Sequence, residues 1–438
     1  MSRSEPGAII GTVVTLTIVA AAASAEAVSG FETHSYGPPL HAHWRPHLGP
    51  GTVPAVVVAA ALVTLARRYT ASLTWPWLLA AAWAASLAWI LALALVDGVA
   101  GIADPPEHRY EYLLTARGVE DVAHLLQEFV SRIDYSAKPD NWPPHVAGHP
   151  PGALLFFVAL VYVGIDQGLT VGLTLVTIGA TTPLAVAVTL RALGAEQAAR
   201  QALPFLVVTP AAVWVGVTAD GGLFAPAAAW GTACLAIACQ LRSQAWALLA
   251  GLVLGACVYL SYGLLLTGIL ALAVLAAAGT TMPFTGALAG ALVVACTFFA
   301  AGYSWPESYA ALTVRYFEGW GGERDYRYWV VGNLAAFSLS AGLLVGAALG
   351  HALTTARRRL LAGQPQRVVL ILGGAGWLMV LAADLSGMSK AEVERIWLPF
   401  VPWTLLLVVL LPVRWQRWGL PAQAAMGLLL QHLYVSNW

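Results

Sequence analysis

Apolar runs of about twenty residues recur along nearly the whole of this chain, and that repetition limits its folds more than any other feature. In hydrocarbon every backbone N–H and C=O must find a partner inside the protein, so apolar runs of this length are read as membrane-crossing helices. The runs that reach or approach this length are 8–28, 51–66, 76–97, 168–190, 202–218, 221–240, 245–262, 263–279, 284–303, 332–353, 368–385, 396–413 and 418–434. Composition agrees: 59% of residues are hydrophobic and 10% charged, where soluble domains carry about 25% charged residues. Many of the 18 tryptophans lie at the ends of apolar runs, as interfacial belts require. The expected fold is all-α, a polytopic transmembrane helical bundle of about 13 spans.

Orientation follows from Lys and Arg in the short connections. Arg67, Arg68, Arg191, Arg200, Arg242, Arg357, Arg358, Arg359, Arg367, Arg414 and Arg417 mark one face, and Arg3 joins them if the amino terminus is cytoplasmic. The spans then alternate if the piece 150–165, short and opened by two prolines, dips in without crossing. On this arrangement only Glu5 and Glu196 of the 22 acidic residues face the cytoplasm, and eight of the ten histidines lie on outer loops. The run 8–28 ends in ASAEA, which resembles a signal-peptide cleavage site, but an uncleaved first span fits the charge pattern throughout. Cys234, Cys239, Cys257 and Cys296 all lie in apolar runs and suggest neither a disulfide framework nor a metal site.

Five regions result: spans with a His-rich outer loop (1–97), a long polar segment (98–152), a core bundle (153–303), an outer aromatic and Arg-rich loop (304–331) and the last spans (332–438). Within the polar segment, Val119, Val122, Leu125, Leu126, Phe129, Val130 and Ile133 recur at helical spacing. They predict one amphipathic helix over 117–133, lying on the membrane or on the protein's own outer face.

Ionisable chemistry concentrates on the outer side. DPPEHRYEY, Asp104 to Tyr112, starts where a span ends, so Asp104 or Glu107 would sit at headgroup depth and could accept a hydroxyl proton. A solvated loop with surface ion pairs is the ordinary alternative. WPPHVAGHPPG predicts a rigid, extended, non-helical path holding His145 and His149 at the mouth of the next apolar piece. Those histidines could meet a phosphate, or merely cap backbone groups. Asp384 and SKAEVERIW lie at the ends of two late spans, where Lys390 and Arg395 could hold a lipid-linked phosphate or simply snorkel. Arg324 lies among aromatic residues suited to sugar rings or to an interfacial belt, and Asp220 is an isolated acid in TADGG, a functional candidate or a turn residue. Walker, dinucleotide-binding, HExxH and GxSxG motifs are all absent, which removes support for those chemistries.

The arrangement resembles the GT-C superfamily of polytopic glycosyltransferases, and most of all its branch of protein O-mannosyltransferases and the lipid A aminoarabinose transferase. Glu107-His108-Arg109-Tyr110 is similar to that branch's acidic motif followed by Arg-Tyr, His149-Pro150-Pro151-Gly152 to its His-Pro-Pro motif, and Asp220 to its later outer Asp. The whole, including SKAEVERIWLPF, looks like actinobacterial integral membrane proteins of this type. The resemblance is carried by residues 98–240; before it stand two extra spans and a His-rich loop, and DPPE replaces a tight Asp-Glu pair.

It implies inverting transfer of a sugar from a polyprenyl-phosphate donor to a glycan, lipid or protein acceptor, on the extracytoplasmic face of the plasma membrane. Asp104 or Glu107 would then be the base, Arg395, Lys390 and Arg109 the donor-phosphate contacts, and His149, His145, Asp220, Tyr110, Arg324 and Asp384 the site lining. No nucleic-acid partner and no resident cofactor are implied; without a clear Asp-x-Asp pattern, dependence on a divalent metal stays open. A secondary transporter, a lipid flippase or a non-catalytic envelope assembly partner are the alternative readings; the one-sided acids and lack of a repeat disfavour transport.

Overall fold

The computed structural model describes residues 5–436 except 31 and 217, so Arg3 lies outside the described residues. Regular structure among the described residues is almost entirely helical. The exception is a two-stranded antiparallel sheet, β1 (Ala42–Trp44) with β2 (Tyr434–Ser436), in which His43 pairs with Val435. Six helices are long and apolar enough to cross a membrane: Pro6–Val28, Thr52–Ser72, Trp75–Asp97, Gly168–Ala192, Asp220–Leu241 and Gln364–Leu385. Two bent pairs, Phe284–Ala300 with Trp305–Glu318 and Tyr326–Ala341 with Leu344–Leu360, make eight if each is one span. Of the shorter apolar helices, Gln244–Leu260, Tyr262–Ala278 and Val401–Leu410 fill other expected runs, and Pro151–Tyr162 falls on the piece 150–165. Large apolar side chains such as Val13, Val56, Val57, Leu292 and Val293 stay exposed on these helices. Hydrocarbon suits such faces and water does not.

Close packing depends on small residues. Helix Pro6–Ser29 crosses helix Leu344–Leu360 at Gly7 and Gly11 against Gly346 and Gly350. A Cβ at Gly11 would lie 2.1 Å from the Gly346 carbonyl oxygen, so the backbones touch directly. The two acids expected on the basic face both pair with arginines assigned to it: Arg414 reaches Glu5 at 2.5 Å, and Glu196 meets Arg191 at 3.1 Å and Arg200 at 2.8 Å.

Three local expectations are corrected. The amphipathic stretch 117–133 is not one helix but Tyr112–Arg117, Val122–Glu128 and a turn at Val130–Arg132. Gly118 ends the first, and the Asp121 carboxylate caps the second by accepting from the Ala123 and His124 N–H groups at 2.8 and 3.1 Å. Its apolar face is covered by protein: Leu125, Leu126, Phe129 and Ile133 pack with Trp142, Val146, Leu154 and Tyr303. WPPHVAGHPPG is not extended throughout. Pro144–Gly148 forms one helical turn, and Pro151 opens helix Pro151–Tyr162, because proline fits the first turn where no N–H partner is needed. His149, preceding a proline, and Pro150 keep extended backbone between them. Finally, 304–331 is no open loop but helices Trp305–Glu318 and Trp320–Glu323 and the start of Tyr326–Ala341.

Candidate functional site

The turn after helix Gln364–Leu385 builds the centre of the site. Ala391 (φ 70°) and Glu392 (φ 62°) both hold left-handed backbone without being glycine, which costs on the order of 1–3 kcal/mol each. Surrounding groups enforce it. The Asn333 side chain accepts from the Ala391 N–H at 3.2 Å and donates to the Ser389 carbonyl at 2.7 Å, and the Tyr316 hydroxyl accepts from the Lys390 N–H at 2.9 Å. The Lys390 ammonium donates to the Gly321 and Arg324 carbonyls at 2.7 and 2.9 Å. So clamped, the turn starts the single helical turn Val393–Ile396 and aims Glu392 and Arg395 inward.

Arg395 is 4% exposed and ties three chain segments together. Its guanidinium donates to Asp220 Oδ2 at 2.9 Å, to Glu392 Oε2 at 2.8 Å and to His145 Nε2 at 3.0 Å. Asp220 is delivered by a wide π-type turn, Asp220–Phe224, at the head of the helix that continues to Leu241. The other ring nitrogen of His145, Nδ1, lies 2.8 Å from Glu111 Oε1. Glu111 precedes helix Tyr112–Arg117, where a carboxylate also meets the positive end of the helix dipole. His149 lies beside this group, its Nδ1 2.7 Å from the Tyr112 hydroxyl and 2.9 Å from the His145 carbonyl.

The charges are mutually adjusted. Burial alone would raise Glu392, but Arg395 and Arg324 outweigh it and hold the carboxyl down at about 2. Burial likewise opposes ionisation of Glu111, and His145 with Arg395 overcomes it, leaving the group below the usual carboxylate range. Burial disfavours the Arg395 cation, yet Asp220 and Glu392 raise its pKa further. Glu394 behaves oppositely: burial pushes it up to about 7, against the His41 N–H that its Oε1 accepts at 2.9 Å. Its Oε2 has no hydrogen-bond partner among the described residues. His41 is lowered to about 4, chiefly by burial.

Several of these groups border a cavity of about 1450 Å³ whose lining is of two kinds. Arg109, His145, His149, Arg324, Glu392 and Arg395 are ionisable; Leu264, Leu265, Leu266, Leu312, Trp305 and Phe400 are apolar. Tyr110 and Lys390 also line it, with His34, Ser35, Tyr36 and His41 from the first outer loop. β1 holds that loop to the far end of the chain, where the Arg45 and His47 N–H groups donate to the Leu433 and His432 carbonyls, each at 2.9 Å.

Of the residues expected at the site, Arg109, Tyr110, His145, His149, Arg324, Lys390 and Arg395 thus share one cavity, and Asp220 backs Arg395. Asp384 stands behind the turn, accepting from Asn333 at 2.9 Å. Asp104 and Glu107 are placed elsewhere, on helix Ala100–Glu107. Glu107 accepts from Arg117 at 2.7 Å and from the Gly168 N–H at 2.9 Å. Asp104 borders a second cavity of about 310 Å³ with Asp97 and Gln431, and His108 lines both cavities. Glu111, Asn333, Tyr316 and the first-loop residues were not among the expected site residues. For Glu111 one signal existed, a carboxylate set just before the apolar turn of a helix. Among the described residues no three His, Cys, Asp or Glu side chains converge as metal ligands.

Comparison with protein-family models, curated proteins and solved structures finds no match to this chain.

Proposed function

We propose that this protein is a membrane glycosyltransferase of GT-C type, moving a sugar from a polyprenyl-phosphate donor to an extracytoplasmic acceptor with inversion. The observation that carries the reading is the mixed lining of the cavity. A lipid-phosphate sugar is an amphiphile, and a cavity lined by cationic and histidine side chains as well as apolar and aromatic ones suits both of its ends. At about 1450 Å³ it exceeds the 300–1,000 Å³ usual for a single small ligand, leaving room for an acceptor. Arg109 is exposed and donates to the Tyr110 hydroxyl at 2.7 Å, so its remaining donors suit a phosphate. Arg395 and Lys390 act from behind, as fixed positive charge facing the leaving phosphate. About thirteen crossings, with the cavity facing outward, complete the proposal.

Glu107 is occupied by Arg117 and Gly168, and Asp104 faces the smaller cavity, so the proposal does not assign the base to either. The test is transfer by purified protein in lipid nanodiscs supplied with a polyprenyl-phosphate sugar. Arg109→Gln is expected to raise the donor KM about tenfold or more, the loss of one charge-assisted hydrogen bond. Glu107→Gln and Asp104→Asn are expected to keep turnover. Movement of the intact lipid across proteoliposomes without cleavage of its sugar–phosphate bond would replace this reading with a flippase.

A further inference from the structure

We infer that His145 Nε2 takes the proton of the acceptor hydroxyl and that Glu111 is the positioning residue that makes it able to do so. The inference rests on the glycosyl-transfer reading for the identity of the acceptor, but not for the state of the imidazole.

The partners of the two ring nitrogens fix the tautomer. Nδ1 faces a carboxylate at 2.8 Å, and an ionised carboxylate only accepts, so Nδ1 carries the hydrogen. Nε2 faces a guanidinium at 3.0 Å, and a guanidinium only donates, so Nε2 presents its lone pair. A neutral imidazole, held by an N–H bond to a buried carboxylate and offering its other nitrogen, is the state a general base requires. Access selects the imidazole over its partner: His145 lines the cavity and Glu111 does not. The mount is stiff, because His145 sits in the single turn Pro144–Gly148 behind Pro143 and Pro144, with Val146 and Ala147 buried beneath.

Charged groups from several segments surround the imidazole. Glu111 comes from the segment before helix Tyr112–Arg117, Asp220 from the π-type turn, and Glu392 and Arg395 from the turn after Gln364–Leu385. Arg324 lies 3.6 Å from Glu392, and His41, His108, Tyr112, His149 and Glu394 are further titratable neighbours of the group. A proton gained by His145 is met directly by the Glu111 carboxylate on Nδ1. In the step itself, the acceptor oxygen forms a bond to the anomeric carbon and the bond from that carbon to the phosphate oxygen breaks. That electron pair leaves on polyprenyl phosphate, and the hydroxyl proton moves to Nε2. Arg395 gives up Nε2 and keeps Asp220 and Glu392, while Glu111 balances the imidazolium.

Two measurements test this. Nitrogen-15 NMR of histidine-labelled wild-type protein at neutral pH should show His145 as the neutral Nδ1–H tautomer; an Nε2–H tautomer or an imidazolium would overturn the inference without reference to any substrate. Kinetically, His145→Asn keeps a donor toward Glu111 but has no basic nitrogen. It is expected to lose about 10²-fold or more in kcat with the donor KM retained. In His145→Gly, added imidazole should restore turnover in proportion to its concentration, which a merely structural role would not produce. Near-normal turnover in His145→Asn, or failure of imidazole to rescue a His145→Gly protein that still binds donor, overturns the assignment. A wild-type protein that shows the Nδ1–H tautomer but transfers no sugar from the lipid donor sinks the proposed function and leaves the proton-accepting atom in place.

Discussion

Glu394 shows how far burial alone can move a residue in this site. It adjoins Arg395, yet the guanidinium is committed to Asp220, Glu392 and His145, and Glu394 is raised from the ordinary 4.5 to about 7. A carboxyl with a raised folded-state pKa binds more protons folded than unfolded between those values, so stability falls as pH rises through that window and levels off above it. The size is on the order of 3 kcal/mol for a group this buried. Glu394→Gln should therefore make the slope of melting temperature against pH more positive than in wild type between about pH 4.5 and 7, where His41 contributes with the opposite sign, and leave the variant at least as stable as wild type at higher pH. An unchanged slope would show that the carboxyl is hydrated and ordinary. At this scale Asp220, His145 and Arg395 were each legible as candidates from residue type and position. Their mutual contacts were not, because Arg395 meets partners 175 and 250 residues away.

Element by element, periodicity located apolar faces well and covering partners poorly. Of the 117–133 pattern Leu125, Leu126, Phe129 and Ile133 are buried and Val119, Val122 and Val130 partly so, but Gly118 and the Asp121 cap break the helix, and protein rather than lipid covers its face. Prolines do not bar helix here: at the first helical positions of Pro144–Gly148 and Pro151–Tyr162 they start helices. The glycines of the first helix carry a clearer consequence. With an added Cβ at Gly11 only 2.1 Å from the Gly346 oxygen, Gly11→Leu must push the first helix off helix Leu344–Leu360. The expected loss is about 1–3 kcal/mol, read as a lower melting temperature in detergent, whereas the same change at Gly374, where nothing lies within 4 Å, should be silent.

Across the whole molecule, the sidedness of charge gives a topology that labelling can check. Tyr36, at the cavity and 57% exposed, and Arg358, in the basic turn of helix Leu344–Leu360, are expected on opposite faces. An impermeant maleimide added to intact cells should modify Tyr36→Cys and spare Arg358→Cys until the membrane is opened; the reverse pattern would invert the site to the cytoplasm. The sequence by itself determined the helical class, the apolar helices long enough to suit a membrane, and the setting of Glu5 and Glu196 among basic residues. These follow from hydropathy and charge, which each residue carries wherever the chain goes. Only the tertiary structure decided that Glu111, His145, Asp220 and Arg395 meet and that Asp104 and Glu107 stand outside the large cavity. That choice depends on how helices far apart in sequence pack, and no local pattern of residues encodes the distance between them.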